Sequence, residues 1–420
     1  MIPCTKYWLI IICLILSSNN IFAYDFEADG IRYNIVSKED RTCEVTTTHE
    51  LFSLYSGRIV IPEHASFEDN EFTIIGIEGS AFLGSDVTEV VVPETAKYIG
   101  RYAFKGCTSM TNVILPESLD SIGACAFIYC WKLKSVTLPK SLKTMEGCIF
   151  AECKTLQSVR LPNELTSLGY DFFCNCPELY DIDWPSTLTS IGENTFKGCT
   201  SLKELLLPSS LISIGKYAFK GCTGIEKVSY PNSLTSIHSN AFEGCIGIEE
   251  LLLPSSLKTV ESSAFSDCAK LKTISFYDTQ FGNKAFSGCV SLRDITAISN
   301  IPPVSYYNNT FDDECYKNAL LYVPKNTKLE YQSKYIWKNF QNIIEKDFGG
   351  VEDVTADGSG ICVNVRDRQV EVSGADASEE IRVYDLSGME IYHGTEHTIA
   401  LPSKGIYIVK VAGHTFKVAL

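Results

Sequence analysis

The chain is 420 residues long and carries a formal net charge of −15. A balance this acidic repels phosphate backbones, which argues against nucleic acid as a partner, and no run of Lys or Arg marks an anionic membrane patch. Apolar residues make up 45% and charged residues 21%, proportions that fit a chain with a buried core rather than a disordered one.

The first element is a targeting segment. Lys6 precedes "YWLIIICLIL" (Tyr7 to Leu16), an apolar run too short to span a bilayer, and "SSNNIFA" then leads to Ala23. Residues 1–23 therefore have the pattern of a signal peptide cleaved after Ala23. Cys13 follows Ile12 rather than a small residue, which argues against a lipid anchor. No later stretch is apolar enough to cross a membrane, so the mature chain is expected to be exported with no membrane-spanning segment.

Residues 24–75 carry no repeat. "YDFEADGIRYNI" (Tyr24 to Ile35) predicts a hairpin around Asp29–Gly30, and "GRIVIP" (Gly57 to Pro62) a further strand. This segment is expected to form an N-terminal β cap on the repeats. From residue 76 to 297 the chain repeats itself. "IGRYAFKGCTSMTNVILPESLDS" (Ile99 to Ser121) is succeeded directly by "IGACAFIYCWKLKSVTLPKSLKT" (Ile122 to Thr144). Phe recurs from Phe82 to Phe286, Cys from Cys107 to Cys289 and Pro from Pro93 to Pro254, nearly always 23 residues apart. A fixed period of this size means stacked supersecondary units, each too small to bury its own Phe, Leu and Ile. About ten such units with strands ~4.8 Å apart predict a rod about 45 Å long.

Within one unit, "LKSVTLP" (Leu133 to Pro139) alternates as a strand does, and Pro139 ends it without leaving a ladder donor missing. The stretch of type "IGRYAFKGC" fits either a short helical turn or a second strand, so the class is an α/β or mainly β solenoid. Residues 298–348 hold Tyr, Trp and Phe at irregular spacing and predict a second cap, with a helix over "LEYQSKYIWKNF" (Leu329 to Phe340). "GGVEDVTADGSG" (349–360) reads as a linker. Residues 361–420 are short alternating strands between turns, the pattern of a small antiparallel β-sandwich.

The repeat "IGxxAFxGCxxLxxVxLPxSLxx" closely resembles the BspA-like branch of leucine-rich repeats. "VYDLSG…GIYIVKV" in the last sixty residues is similar to the C-terminal sorting domains of the type IX secretion system, although the chain ends in "KVAL" where such domains usually end with a basic residue. The first resemblance implies a surface or secreted adhesin that binds host extracellular proteins or other bacterial cells. The second implies sorting to, or anchoring at, the outer membrane.

No phosphate-binding loop, zinc-protease helix, calcium loop or nucleophile elbow occurs in the sequence. His393 and His397 are spaced i, i+4 but flank a turn between strands. No catalytic residue, cofactor or metal site is expected. The Cys ladder reads first as a buried, reduced column, with scattered disulfides and metal binding as alternatives; Cys125, Cys148 and Cys174 lie outside it.

Binding is expected on the residues flanking each strand's central apolar position, which point away from the core. The candidates are Val91, Ile114, Arg160, Asp181, Asp183, Glu204, Leu206, Lys227, Glu250 and Leu252. The leading expectation is protein–protein binding through this face, at a cell surface. An envelope scaffold without a host ligand and a glycan-binding module are the alternatives. The glycan-binding module is disfavoured because the face has almost no aromatic side chains to stack on sugars.

Overall fold

The computed structural model describes residues 24–47, 55–304, 307, 309–348, 354–355, 362–366, 369–373, 375–385, 388–402, 405–412 and 414–419. The segment read as a signal peptide and most of residues 349–360 lie outside these. The repeats coil into a mainly β solenoid. Most coils contribute a three- or four-residue outward strand, such as Glu204–Leu206, and a two-residue strand on a second side, such as Ser213–Ile214. Most successive strands of each kind pair in parallel and in register, so Ser213 lies beside Ser190 and Ile214 beside Ile191.

The "YAFKGC" stretch is neither helix nor regular strand. Two residues per coil adopt the left-handed conformation, for example Tyr217 at φ 58° and Gly221 at φ 72°. They bend the chain on either side of Ala218–Phe219, and both of those residues are fully buried. Backbone bonds still climb from coil to coil here. Tyr217 N–H donates to the Ser239 carbonyl at 3.0 Å and Phe219 N–H to the Ala241 carbonyl at 2.7 Å. Left-handed Tyr or Cys costs on the order of 1–2 kcal/mol relative to Gly, and burial of the Phe between the two bends offsets it.

Three columns of side chains run the length of the stack. The Phe rings lie nearly parallel, with centroids 5.2 Å apart for Phe196–Phe219 and 5.1 Å for Phe219–Phe242. Tyr55 closes one end of this column against Phe82, and Phe311 continues it beyond Phe286. The second column is Cys. Each thiol donates to the carbonyl of the Phe in the preceding coil, as in Cys222 Sγ to Phe196 O at 2.9 Å and Cys245 Sγ to Phe219 O at 3.1 Å. The third is the hydroxyl of "PxSL". Ser210 Oγ donates to Leu188 O at 2.7 Å and Ser233 Oγ to Leu211 O at 2.6 Å. The last two columns use side chains small enough to be buried and still satisfy carbonyls that the bends leave without a ladder partner.

Both ends of the coil stack are covered. At the first, Phe26–Ala28 and Ile31–Ser37 form an antiparallel hairpin with Asp29 and Gly30 both left-handed, the backbone a two-residue turn of this hand requires. Strand Ser56–Val60 pairs in parallel with Asp86–Val91 and so extends the outward sheet. At the other end, strands Leu320–Pro324 and Asn342–Lys346 continue it. The expected helix over 329–340 is in fact split. Lys328–Ser333 is α-helical, Lys334 is extended, and Trp337–Asn339 forms a 3-10 turn. The break lets Trp337 turn inward, where its indole N–H donates to Pro303 O at 2.9 Å and its ring stacks 5.5 Å from Phe276.

The C-terminal residues form two four-stranded antiparallel sheets, which face each other over a core including Val370, Ile381, Val383, Val409 and Val411. No described helix is long and apolar enough to cross a membrane.

Candidate interaction face

The outward sheet is where side chains differ from coil to coil while the interior repeats. Its central residues, Val113, Val136, Val159, Leu205 and Leu251, are buried, and the flanking residues stand off the surface in two rows set by strand register. In one row Val60 lies beside Val91 and Val91 beside Ile114. Val60 and Ile114 are 50% and 48% exposed, and Leu206 further along is 63% exposed. Val91 is half-buried between its neighbours. Val60 lies outside the repeat, so periodicity does not reveal it. Ile344, 41% exposed on the last strand, is a second such residue.

Charge on the face is mostly acidic and partly paired. Arg58 Nε lies 2.7 Å from Glu89 and holds that carboxyl below the usual range. Arg160 Nη2 lies 3.0 Å from Asp181 Oδ2, while register places Arg160 beside Asp183. Glu204 lies opposite Lys227, and Glu250 opposite Thr273. Arg160, Asp183, Glu204, Lys227 and Glu250 are exposed.

The strand ladder on this face is interrupted between Asn112–Ile114 and Ser135–Thr137, between Asp181–Asp183 and Glu204–Leu206, and between Lys227–Ser229 and Glu250–Leu252. The last two interruptions come just after Trp184 and Tyr230, rings that occupy the inward position held elsewhere by Leu161, Leu207 and Leu253. Larger rings need more room between coils than leucine. The first interruption has no such residue beside it.

Leu252 differs from Leu206, its counterpart two coils earlier, in being half-buried. The C-terminal sandwich touches the sheet there. Asn232 Nδ2 donates to Asp385 Oδ2 at 2.7 Å, and the Ile406 N–H donates to the Tyr277 hydroxyl at 3.0 Å. Leu252 and Pro254 line the seam with Tyr407. Burial pushes the Tyr277 hydroxyl up to about 12. Tyr277 stands where the Pro ladder would continue after Pro254. That missing proline is the one sequence signal for this contact.

Among the described residues no three of His, Cys, Asp and Glu are grouped to hold a metal ion, and the cysteines from Cys43 to Cys315 are free thiols. Burial pushes the ladder thiols Cys153 and Cys222 up to about 12, so they are unsuited to nucleophilic chemistry at neutral pH.

A parallel coil with an open, side-chain-varied sheet along one side and capped ends defines a repeat solenoid of the leucine-rich class. A model of the BspA type leucine rich repeat region matches residues 75–203 and 189–319, more than half of the chain, and the protein belongs to that family. A leucine-rich repeat protein of Bacteroides ovatus has a similar structure, with a TM-score of 0.63 at 26% identity over 77% of this chain and 90% of that one. A leucine rich cell surface protein of Faecalibacterium prausnitzii shares the fold, with a TM-score of 0.51 at 20% identity over 80% of this chain and 96% of the other. A search of curated proteins finds no match.

Proposed function

We propose that this is an exported protein that binds other proteins through its outward sheet, in the role of a surface adhesin. The observation that carries this reading is the exposed apolar row from Val60 through Val91 to Ile114 on an otherwise mostly polar sheet, with Leu206 exposed further along it. Apolar side chains set singly on a surface are ordinary, whereas contiguous ones rimmed by charge mark protein contacts, and Val60, Val91 and Ile114 are contiguous with Arg58 and Glu89 beside them. Val60, Val91 and Ile114 form the apolar end of the site, and Arg160, Asp181, Asp183 and Glu204 its charged middle. Lys227, Glu250 and Leu252 belong to the part beside the C-terminal sandwich. The "YWLIIICLIL" run supports export, and the "VYDLSG…GIYIVKV" stretch supports sorting through a type IX system to the outer membrane.

The test is a screen of the purified full chain against immobilised extracellular-matrix and plasma proteins, with fractionated bacterial surface proteins alongside. Saturable binding to a purified host protein is the expected result. Saturable binding confined to a bacterial surface protein would replace adhesion with an envelope scaffold, and binding to neither would refute the reading.

A further inference from the structure

Among the described residues the C-terminal sandwich is placed to alter how much of the outward face is available. Its contact with the sheet is narrow and specific. Asp385 is only 6% exposed. One carboxylate oxygen accepts the Met389 N–H at 3.0 Å, and the other accepts Asn232 across the seam. The second anchor, Tyr277, departs from the repeat at that position. Beside these two hydrogen bonds the packing opens. A cleft of about 640 Å³ separates the turn at Gly388 from Lys227, Glu249, Glu250 and Leu252. Intrachain contacts of this polar kind behave as transient ones, whereas large hydrophobic contacts hold domains fixed.

We propose that the sandwich is a lid on the chain's own interaction face, docked through Asn232–Asp385 and Tyr277–Ile406 and shielding Leu252 until it is released. This rests on the reading of the outward sheet as the binding face and adds its regulation. With the lid docked, a partner meets the apolar row at Val60–Ile114 and the strip to Leu206. With the lid released, the face extends through Leu252 to Ile344. The sequence "GGVEDVTADGSG" ties the lid to the coil stack, so docking is intramolecular and needs only weak contacts to persist. A partner that needs the covered part binds more weakly by the fraction of molecules that are open.

The lid is testable without any partner. Leu252→Cys and Leu206→Cys are made separately in the full chain and reacted with maleimide-terminated polyethylene glycol, the native thiols being subtracted with the unsubstituted chain. Leu206→Cys is expected to react at least about tenfold faster. Adding Asn232→Asp, which sets a carboxylate against Asp385, together with Tyr277→Phe, should raise the Leu252→Cys rate about tenfold and leave Leu206→Cys unchanged; one lost hydrogen bond to a charged group is worth about this factor. Equal rates at the two sites, or no acceleration by the seam substitutions, would overturn the lid. Far-UV circular dichroism and melting of the seam variants check that the coils stay folded. These outcomes are independent of the binding screen, so a failed screen and a failed lid are told apart.

Discussion

Raising the pH through 9 to 11 is expected to unfold the solenoid in one cooperative step. The cause is the Cys column. Cys153 and Cys222 are pushed up to about 12 by burial, and Cys176, Cys199, Cys245 and Cys289 lie well above the ordinary thiol value of 9.0. For Cys289 the hydrogen bond with Cys268 is the first cause, and burial adds to it. A group whose folded value is raised stabilises the fold fully below its unfolded value and stops doing so as the pH climbs toward the folded one. Below pH 9 the six thiols are neutral in both states and add no pH dependence of their own. Above it the unfolded chain releases protons that the folded chain keeps. Each thiol then removes up to about 1.4 kcal/mol per pH unit. Six acting together remove on the order of 8 kcal/mol per unit, comparable with the whole stability of a typical domain. Loss of far-UV circular dichroism should coincide with the appearance of thiolate absorbance. Replacing Cys199, Cys222 and Cys245 with Ala should move the midpoint upward. A midpoint that ignores these replacements would mean the column does not set alkaline stability.

The second large effect is expected from Phe219→Ala, which should destabilise the solenoid by about 3–5 kcal/mol in chemical denaturation. Phe219 is fully buried, and its ring is stacked between Phe196 and Phe242. Removing it opens a cavity that coils pinned by backbone bonds above and below cannot close. The same substitution at Leu206, 63% exposed, should cost less than about 0.5 kcal/mol. Because coils contact only their neighbours, the Phe219 defect should also split unfolding into two phases, with coils either side melting separately. A cost below about 1 kcal/mol, at the low end for a buried large-to-small change, or an unsplit transition of unchanged midpoint, would contradict the stacked column.

Much of this architecture can be read from the ladders alone. The Phe and Cys spacing implies stacking, and the "LxxVxLP" alternation implies an outward face with a buried centre. Three features need geometry. The left-handed bends at Tyr102, Cys125, Tyr217 and Asn240 carry no glycine, so they leave no mark of the usual kind. The second strand is only two residues long, as at Ser236–Ile237, too short for periodicity to register. The hydroxyl column is visible as a recurrent Ser in "PxSL", but its reason, a carbonyl in the preceding coil, exists only once the coils are stacked. The candidate face is legible as a set of positions, including Ile114 and Leu206. Its extension to Val60 and Ile344 is not, because those strands join the sheet by pairing and lie outside the repeat. The shading of Leu252 depends on segments 129 and 153 residues apart meeting, and only the missing proline at Tyr277 hints at it.

Partner binding by the outward sheet is tested most directly by Ile114→Glu with Leu206→Glu, made in the full chain. Circular dichroism and melting should stay unchanged, since both side chains point into solvent. Affinity for the protein captured in the screen, measured by titration, should fall at least about tenfold, the cost of losing two anchors. Equal affinity of the doubly substituted and the original chain would place the contact surface elsewhere and contradict the assignment.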